Sequence, residues 1–183
     1  MVIACDIDNT ICNLQEVVID LFNKRYGTNY TMNDFHEYDV MNVLPTPDGI
    51  VMRDMYGENG LYNKVKPYHK TSDVLQKIIN NGHQVYFVTD AIPKTYGEKI
   101  DFIKRYFPFI DDAHIVSMKH KHMFRCDIMI ENNFANLLAR TYYHRVLINQ
   151  PWNQSNKDYV YDIHRCYNWD DVLVAINKIC ESE

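Results

Sequence analysis

Asp6 and Asp8 stand one residue apart, directly behind the short apolar run Val2–Cys5 in the stretch ACDIDNTIC. In extended backbone, residues two apart point to the same side, so these two carboxylates share one small space and repel. A cation relieves that repulsion, and oxygen donors of this kind suit Mg2+. Thr89 ends a second apolar run, QVYFVT, and offers a hydroxyl. Glu131 follows DIMI and offers another carboxylate, and Lys121 brings a positive charge just before it. Carboxylates, a hydroxyl and an ammonium are the groups a phosphoryl-transfer centre needs. Each also has a plainer reading. An acidic pair after a strand is common turn or cap material, Thr89 is a β-former, and a lysine in KHKH is ordinarily a solvated charge, with Lys119 a rival for its role.

The elements that must position these groups follow from hydrophobic pattern. Val2–Cys5, Gln84–Thr89, Asp127–Ile130 and Arg145–Ile148 read as short buried strands, with His114–Val116 a fifth candidate. Helices are predicted over Thr71–Asn80, opened by Thr-Ser-Asp and stopped at Asn81-Gly82, and over Tyr96–Phe107, stopped before Pro108. Another follows WDD, with Val172, Leu173, Ile176 and Ile179 as its apolar stripe. Alternating strands and helices predict an α/β fold, a Rossmann-like doubly wound parallel sheet whose ligands bind beyond the strand ends. Residues 14–70 do not fit one crossover helix. They begin with a helix carrying Val17, Val18, Leu21 and Phe22 that ends near Gly27, and read as a small helical insertion over the strand ends. The expected division is a core of 1–13 and 71–183 and a cap of 14–70.

Composition narrows the class. The chain has 183 residues, 46% of them hydrophobic and 23% charged, which fits one ordered domain. A net charge of −5 disfavours nucleic-acid polymers and anionic membrane surfaces. No apolar run reaches spanning length and no leader pattern opens the chain, so a cytoplasmic location is expected. Five scattered cysteines without a Cys-x-x-Cys pair read as reduced, apolar-packing thiols. His120 and His122 lack the companions that tetrahedral zinc requires.

Four motifs in order carry a family resemblance. DIDNT resembles the first motif of haloacid-dehalogenase-like phosphatases, FVTD the second, and KHMFRCDIMIEN the third and fourth. The spacing Lys121, Asp127, Glu131, the segment KIDFIKRYFPFI, and the late NQPWNQ and NWDDV are similar to the 5'(3')-deoxyribonucleotidase branch, which has a small helical cap. The resemblance implies a Mg2+-dependent phosphomonoesterase acting on nucleoside monophosphates, with deoxyribonucleotides favoured, through an aspartyl-phosphate. It implies Asp6 as nucleophile and Asp8 as acid and base. Thr10 orients the Asp8 loop, and Thr10, Thr89 and Lys121 serve the phosphate. The metal is implied at Asp6, the Asp8 carbonyl and Glu131-Asn132.

The family pattern has two adjacent acids where this chain has Glu131-Asn132. Asparagine keeps an oxygen and loses a charge, which leaves a working enzyme with weaker Mg2+ binding as the expectation. A phosphatase for another small phosphomonoester, or a non-catalytic nucleotide or Mg2+ binding module, is the alternative. Phe35 and Tyr38, with Tyr56 and Tyr62, are candidates for stacking a nucleobase, although packing within the insertion is the commoner role for any one such aromatic. Asp127 is expected to tie a loop at its strand's start. The expected partner is a small nucleotide, with homodimerisation left open.

Overall fold

The computed structural model describes residues 1–138, 142–154, 158 and 162–182. Six parallel strands form one sheet: β1 (Val2–Cys5), β2 (Gln84–Thr89), β3 (Ile115–Ser117), β4 (Cys126–Glu131), β5 (Tyr142–Ile148) and β6 (Ile163–Cys166). Their order is β3-β2-β1-β4-β5-β6, the doubly wound arrangement that the alternating pattern predicts. β1 lies at the centre, and Ile3, Ala4 and Cys5 are fully buried. Burying an isoleucine such as Ile3 contributes about 1.5–3 kcal/mol, so this strand is apolar because both of its faces are covered. Asp127 ties not a loop but the first residue of the neighbouring strand β1, accepting the Val2 N–H at 2.7 Å.

β6 was not legible as a strand. Its sequence, IHRC, has no apolar run, because it is an edge strand whose Arg165 binds Asn149 and Asn153 side chains at 2.8 and 2.7 Å. β5 is longer than Arg145–Ile148, and β3 is shifted one residue from His114–Val116.

Helices α1 (Leu14–Tyr26), α2 (Asp48–Met55), α3 (Thr71–Asn80), α4 (Tyr96–Tyr106), α5 (Phe134–Leu137) and α6 (Trp169–Glu181) accompany the sheet. α1 ends where Gly27 takes a left-handed conformation, φ 67°, and its N–H reaches the Asn23 carbonyl. α3 buries Thr71, Val74, Leu75 and Ile78. Its bounds are those predicted, with Thr71 its first residue and Lys70, at φ 62°, preceding it. In α6, Asn168 caps the Asp171 N–H, and Ala175 joins Val172, Ile176 and Ile179 in the buried stripe while Leu173 is only half-buried.

Residues 14–70 contain α1, α2 and 3-10 turns at Met32–Asp34, Val40–Asn42 and Leu61–Asn63. Their apolar side chains, among them Phe22, Phe35, Met52 and Met55, are continuous with the apolar layer on one face of the sheet. The segment returns alongside the loop after β1, with the Tyr68 N–H on the Ile11 carbonyl and the Asn13 N–H on the Lys66 carbonyl. All five cysteines are free, four of them buried. Among the described residues no helix is long and apolar enough to cross a membrane.

Candidate active site

The strand order reverses between β1 and β4, and open α/β sheets bind ligands beyond the carboxyl ends at such a reversal. Cys5 is in register with Ile130, and the Asp6 N–H donates to the Ile130 carbonyl at 2.9 Å. Asp6 and Glu131 therefore leave the sheet side by side. Ile7, between the aspartates, is fully buried, which turns its neighbours toward the crevice. Asn9, at φ 59°, then bends the chain, and Thr10 donates back to Asp6 Oδ2 at 3.0 Å.

Lys121 stands on the 3-10 turn Lys121–Met123 and is buried. Its Nζ lies 2.5 Å from Asp6 Oδ1 and 2.6 Å from Glu131 Oε1. Burial disfavours its ammonium, but the two carboxylates outweigh that and hold its pKa above the usual lysine value. Burial and the neighbouring Glu131 and Asp8 carboxylates push the Asp6 carboxyl up to about 6, against the opposing pull of Lys121. Lys119 lines the adjacent cavity and makes no such contact with Asp6. Of the two lysines, Lys121 is the one in contact with Asp6.

Glu131 is fully buried and occupied. Besides Lys121, its carboxylate accepts the Asn132 and Asn133 N–H groups at 2.9 and 2.8 Å and the Asn136 side-chain amide at 2.7 Å. Four donors leave it the anchor of Lys121. Asn132 instead faces oxygens of Asp6, Asp8 and Thr10. Its Nδ2 lies 3.0 Å from Asp6 Oδ2, 2.7 Å from the Asp8 carbonyl and 2.8 Å from Thr10 Oγ1, while its buried Oδ1 has no partner.

Asp8 opens onto a cavity of about 580 Å3. Its Oδ2 accepts Lys99 Nζ at 2.7 Å and its Oδ1 accepts the Tyr62 hydroxyl at 2.6 Å. Lys99, from α4, also donates to Thr89 Oγ1 at 2.9 Å, so Thr89 joins the site from the end of β2. Tyr38, Tyr56 and Trp152 line the cavity, and Tyr38 meets Trp152 edge to face at 6.1 Å. Phe35 does not. It is 1% exposed and packs edge-on against Tyr30, which corrects its assignment as a base-stacking candidate: a ring enclosed by the insertion's own core has no free face. His120 and His122 are exposed, and among the described residues no cluster of three or more His, Cys, Asp or Glu side chains could hold a metal.

The profile of the family described as 5' nucleotidase, deoxy (pyrimidine), cytosolic type C matches residues 1–180. The chain belongs to that family. It is a hydrolase of the nucleotidase kind. A protein of Staphylococcus epidermidis named "Putative 5'(3')-deoxyribonucleotidase" is 24% identical over 179 residues, covering 97% of this chain and 96% of its own. Two solved structures share the fold. One is a haloacid dehalogenase-like hydrolase of Streptococcus pneumoniae, with TM-score 0.63 and 16% identity over 94% of this chain and 96% of its own. The other is a hydrolase of the same superfamily from Deinococcus radiodurans, with bound phosphate and sodium, TM-score 0.63 and 10% identity over 97% and 95%.

Sequence reasoning missed Lys99 and the contact of Tyr62 with Asp8. A signal for Lys99 existed: it precedes Phe102 and Ile103 by three and four residues, which puts it on the buried stripe of α4. A lysine on an apolar face requires a partner. Tyr62 carried no comparable signal, since its contact with Asp8 spans 54 residues.

Proposed function

We propose that the chain is a Mg2+-dependent phosphomonoesterase of nucleoside monophosphates, deoxyribonucleotides above all, acting through an aspartyl-phosphate on Asp6. The observation that carries this is the pairing of the two aspartates with separate cations: Asp6 with Lys121 and Asp8 with Lys99. One carboxylate is thereby set for nucleophilic work and the other for proton transfer, beside a cavity of nucleotide size. Family membership supports the nucleotide. We read residues 14–70 as the cap over a core of 1–13 and 71–183, with Tyr38, Tyr56 and Trp152 offering flat surfaces for a base.

The donors suit Mg2+. Asp6 Oδ2 and the Asp8 carbonyl converge on the Asn132 side chain, whose Oδ1 is orphaned. Turning that amide over exchanges its nitrogen for its oxygen and completes an all-oxygen set from Asp6, Asp8 and Asn132. Glu131 holds Lys121 rather than the metal. When bound, the ion offsets the repulsion between Asp6 and the phosphate dianion.

An oxygen of Asp6 forms a bond to phosphorus as the ester P–O bond breaks, and that bond's electron pair goes to the leaving oxygen. Asp8 supplies its proton. Water then attacks the phosphoryl group, Asp8 takes its proton, and phosphate departs with Asp6 restored. Lys121, Lys99 and Thr89 hold the equatorial oxygens as charge redistributes.

The test is phosphate release from a panel of nucleoside monophosphates and other small phosphomonoesters, with Mg2+ and with chelator. Metal-dependent release favouring deoxynucleotides, lost by at least about a thousandfold in a folded Asp6→Asn variant, is expected. Release from other esters alone moves the substrate. Release retained by Asp6→Asn excludes it as nucleophile, and no release at any Mg2+ concentration points to a binding module.

A further inference from the structure

Tyr62 is only 3% exposed, and its hydroxyl donates to Asp8 Oδ1. A phenylalanine would fill the same space beside Phe102, whose ring centre is 6.2 Å away. The polar atom therefore needs a separate explanation. Tyr62 belongs to the turn Leu61–Asn63, and that turn is fixed by α4. The Glu98 carboxylate accepts the Gly60 N–H at 2.6 Å and the Tyr62 N–H at 3.3 Å. Gly60 has φ +77°, a conformation that other residues rarely adopt. The residue after Glu98 is Lys99, whose Nζ holds Asp8 Oδ2 and lies 5.5 Å from the centre of the Tyr62 ring. Two consecutive residues of one helix thus control both oxygens of Asp8, one directly and one through the turn.

We propose that Tyr62 is a positioning residue for Asp8: its hydroxyl pins Oδ1, leaving Oδ2 as the oxygen that passes the proton. The Glu98 grip makes this alignment depend on how residues 60–62 sit on α4. The inference rests on the reading of Asp8 as acid and base. In the first half-reaction the bond from Asp6 to phosphorus forms and the ester P–O bond breaks. The ester oxygen keeps that electron pair and takes the proton from Asp8 Oδ2. The substrate phosphate gives Lys99 another anion to hold, which frees Oδ2 for the transfer. Without the phenol the carboxyl is free to turn about Cβ–Cγ, and a misplacement of about 1 Å can cost about a hundredfold in rate.

The experiment follows release of the leaving group in single turnovers with enzyme in excess and Mg2+ present, for a deoxynucleoside monophosphate and for p-nitrophenyl phosphate. The nucleoside alkoxide needs a proton to leave, whereas p-nitrophenolate does not. Tyr62→Phe is expected to slow nucleoside release about ten- to a hundredfold and p-nitrophenolate release less than about threefold. The half-saturating concentrations should stay within about threefold. Equal slowing of both, or slowing of neither, overturns the proposal. Glu98→Gln keeps the hydroxyl and weakens its anchor, so the same asymmetry at smaller amplitude is expected there. Should Tyr62→Phe not fold, a symmetric or absent effect in Glu98→Gln overturns the proposal instead. Asp8→Asn separates the two ideas. If it shows the asymmetry and Tyr62→Phe does not, the positioning role alone is wrong; if its own loss is symmetric, the acid role beneath it is wrong.

Discussion

Asn132 brings a neutral amide to a place where its family pattern has an acid, and its Nδ2 stands among three oxygens as a weak stand-in for a cation. Replacing it by aspartate should act in opposite directions with and without metal. In chelator, Asn132→Asp loses the amide donor and sets a second carboxylate against Asp6, which costs about 1–3 kcal/mol of stability. With Mg2+ the added charge should tighten binding by about tenfold or more. Thermal melts of both proteins across a Mg2+ titration check this, and parallel shifts would place Asn132 outside the metal's reach. The Asp6 carboxyl, pushed up to about 6 by its burial, gives a pH dependence of definite sign. Between about pH 4 and 6 the folded, metal-free Asp6 holds a proton that the unfolded chain has released, so the contribution of Asp6 to stability falls as pH rises through that window. A metal must displace that proton. Mg2+ affinity should therefore drop by up to about tenfold per pH unit below about 6, as calorimetric titrations from pH 5 to 8 would show; a flat profile would contradict it.

Elements decide which residues can take part at all. Phe35 and Tyr38 look alike in sequence, three residues apart in an aromatic-rich stretch, yet the 3-10 turn Met32–Asp34 delivers Phe35 to the core and leaves Tyr38 at the cavity. Phe35→Ala should thus cost about 3–5 kcal/mol, the usual penalty for emptying a buried aromatic site. Urea unfolding measures it, and a loss below about 1 kcal/mol would mean that the ring is not enclosed. The same logic bounds what sequence can disclose. The shared location of Asp6, Asp8, Thr89 and Glu131 was legible because strand ends are marked by apolar runs that stop, and a parallel sheet must gather those ends on one side; Lys121, on the turn before β4, was readable only as a nearby charge with Lys119 a rival. Lys99 was legible in principle, from helical period. Tyr62 and the occupation of Glu131 by four donors were not, because they depend on how irregular turns pack, and no periodicity encodes that.

At the scale of the whole molecule, the doubly wound sheet was readable from alternation alone, while the edge strand Ile163–Cys166 was hidden by its polar residues. The central strand has a further consequence, concerning the order in which the chain is made. β1 pairs with β2 on one side and β4 on the other, and the Val2 amide meets Asp127 across 125 residues of chain. At about 5–20 residues per second, a ribosome needs about 6–25 s to travel from the first of these strands to the second. Until β4 is made, the most apolar strand of the sheet, with the aspartates behind it, lacks one partner, and until β2 is made it has two open edges. The nascent chain thus carries Asp6 and Asp8 without their sheet partners well before the strand that brings Glu131 and Asn132 to them has been synthesised.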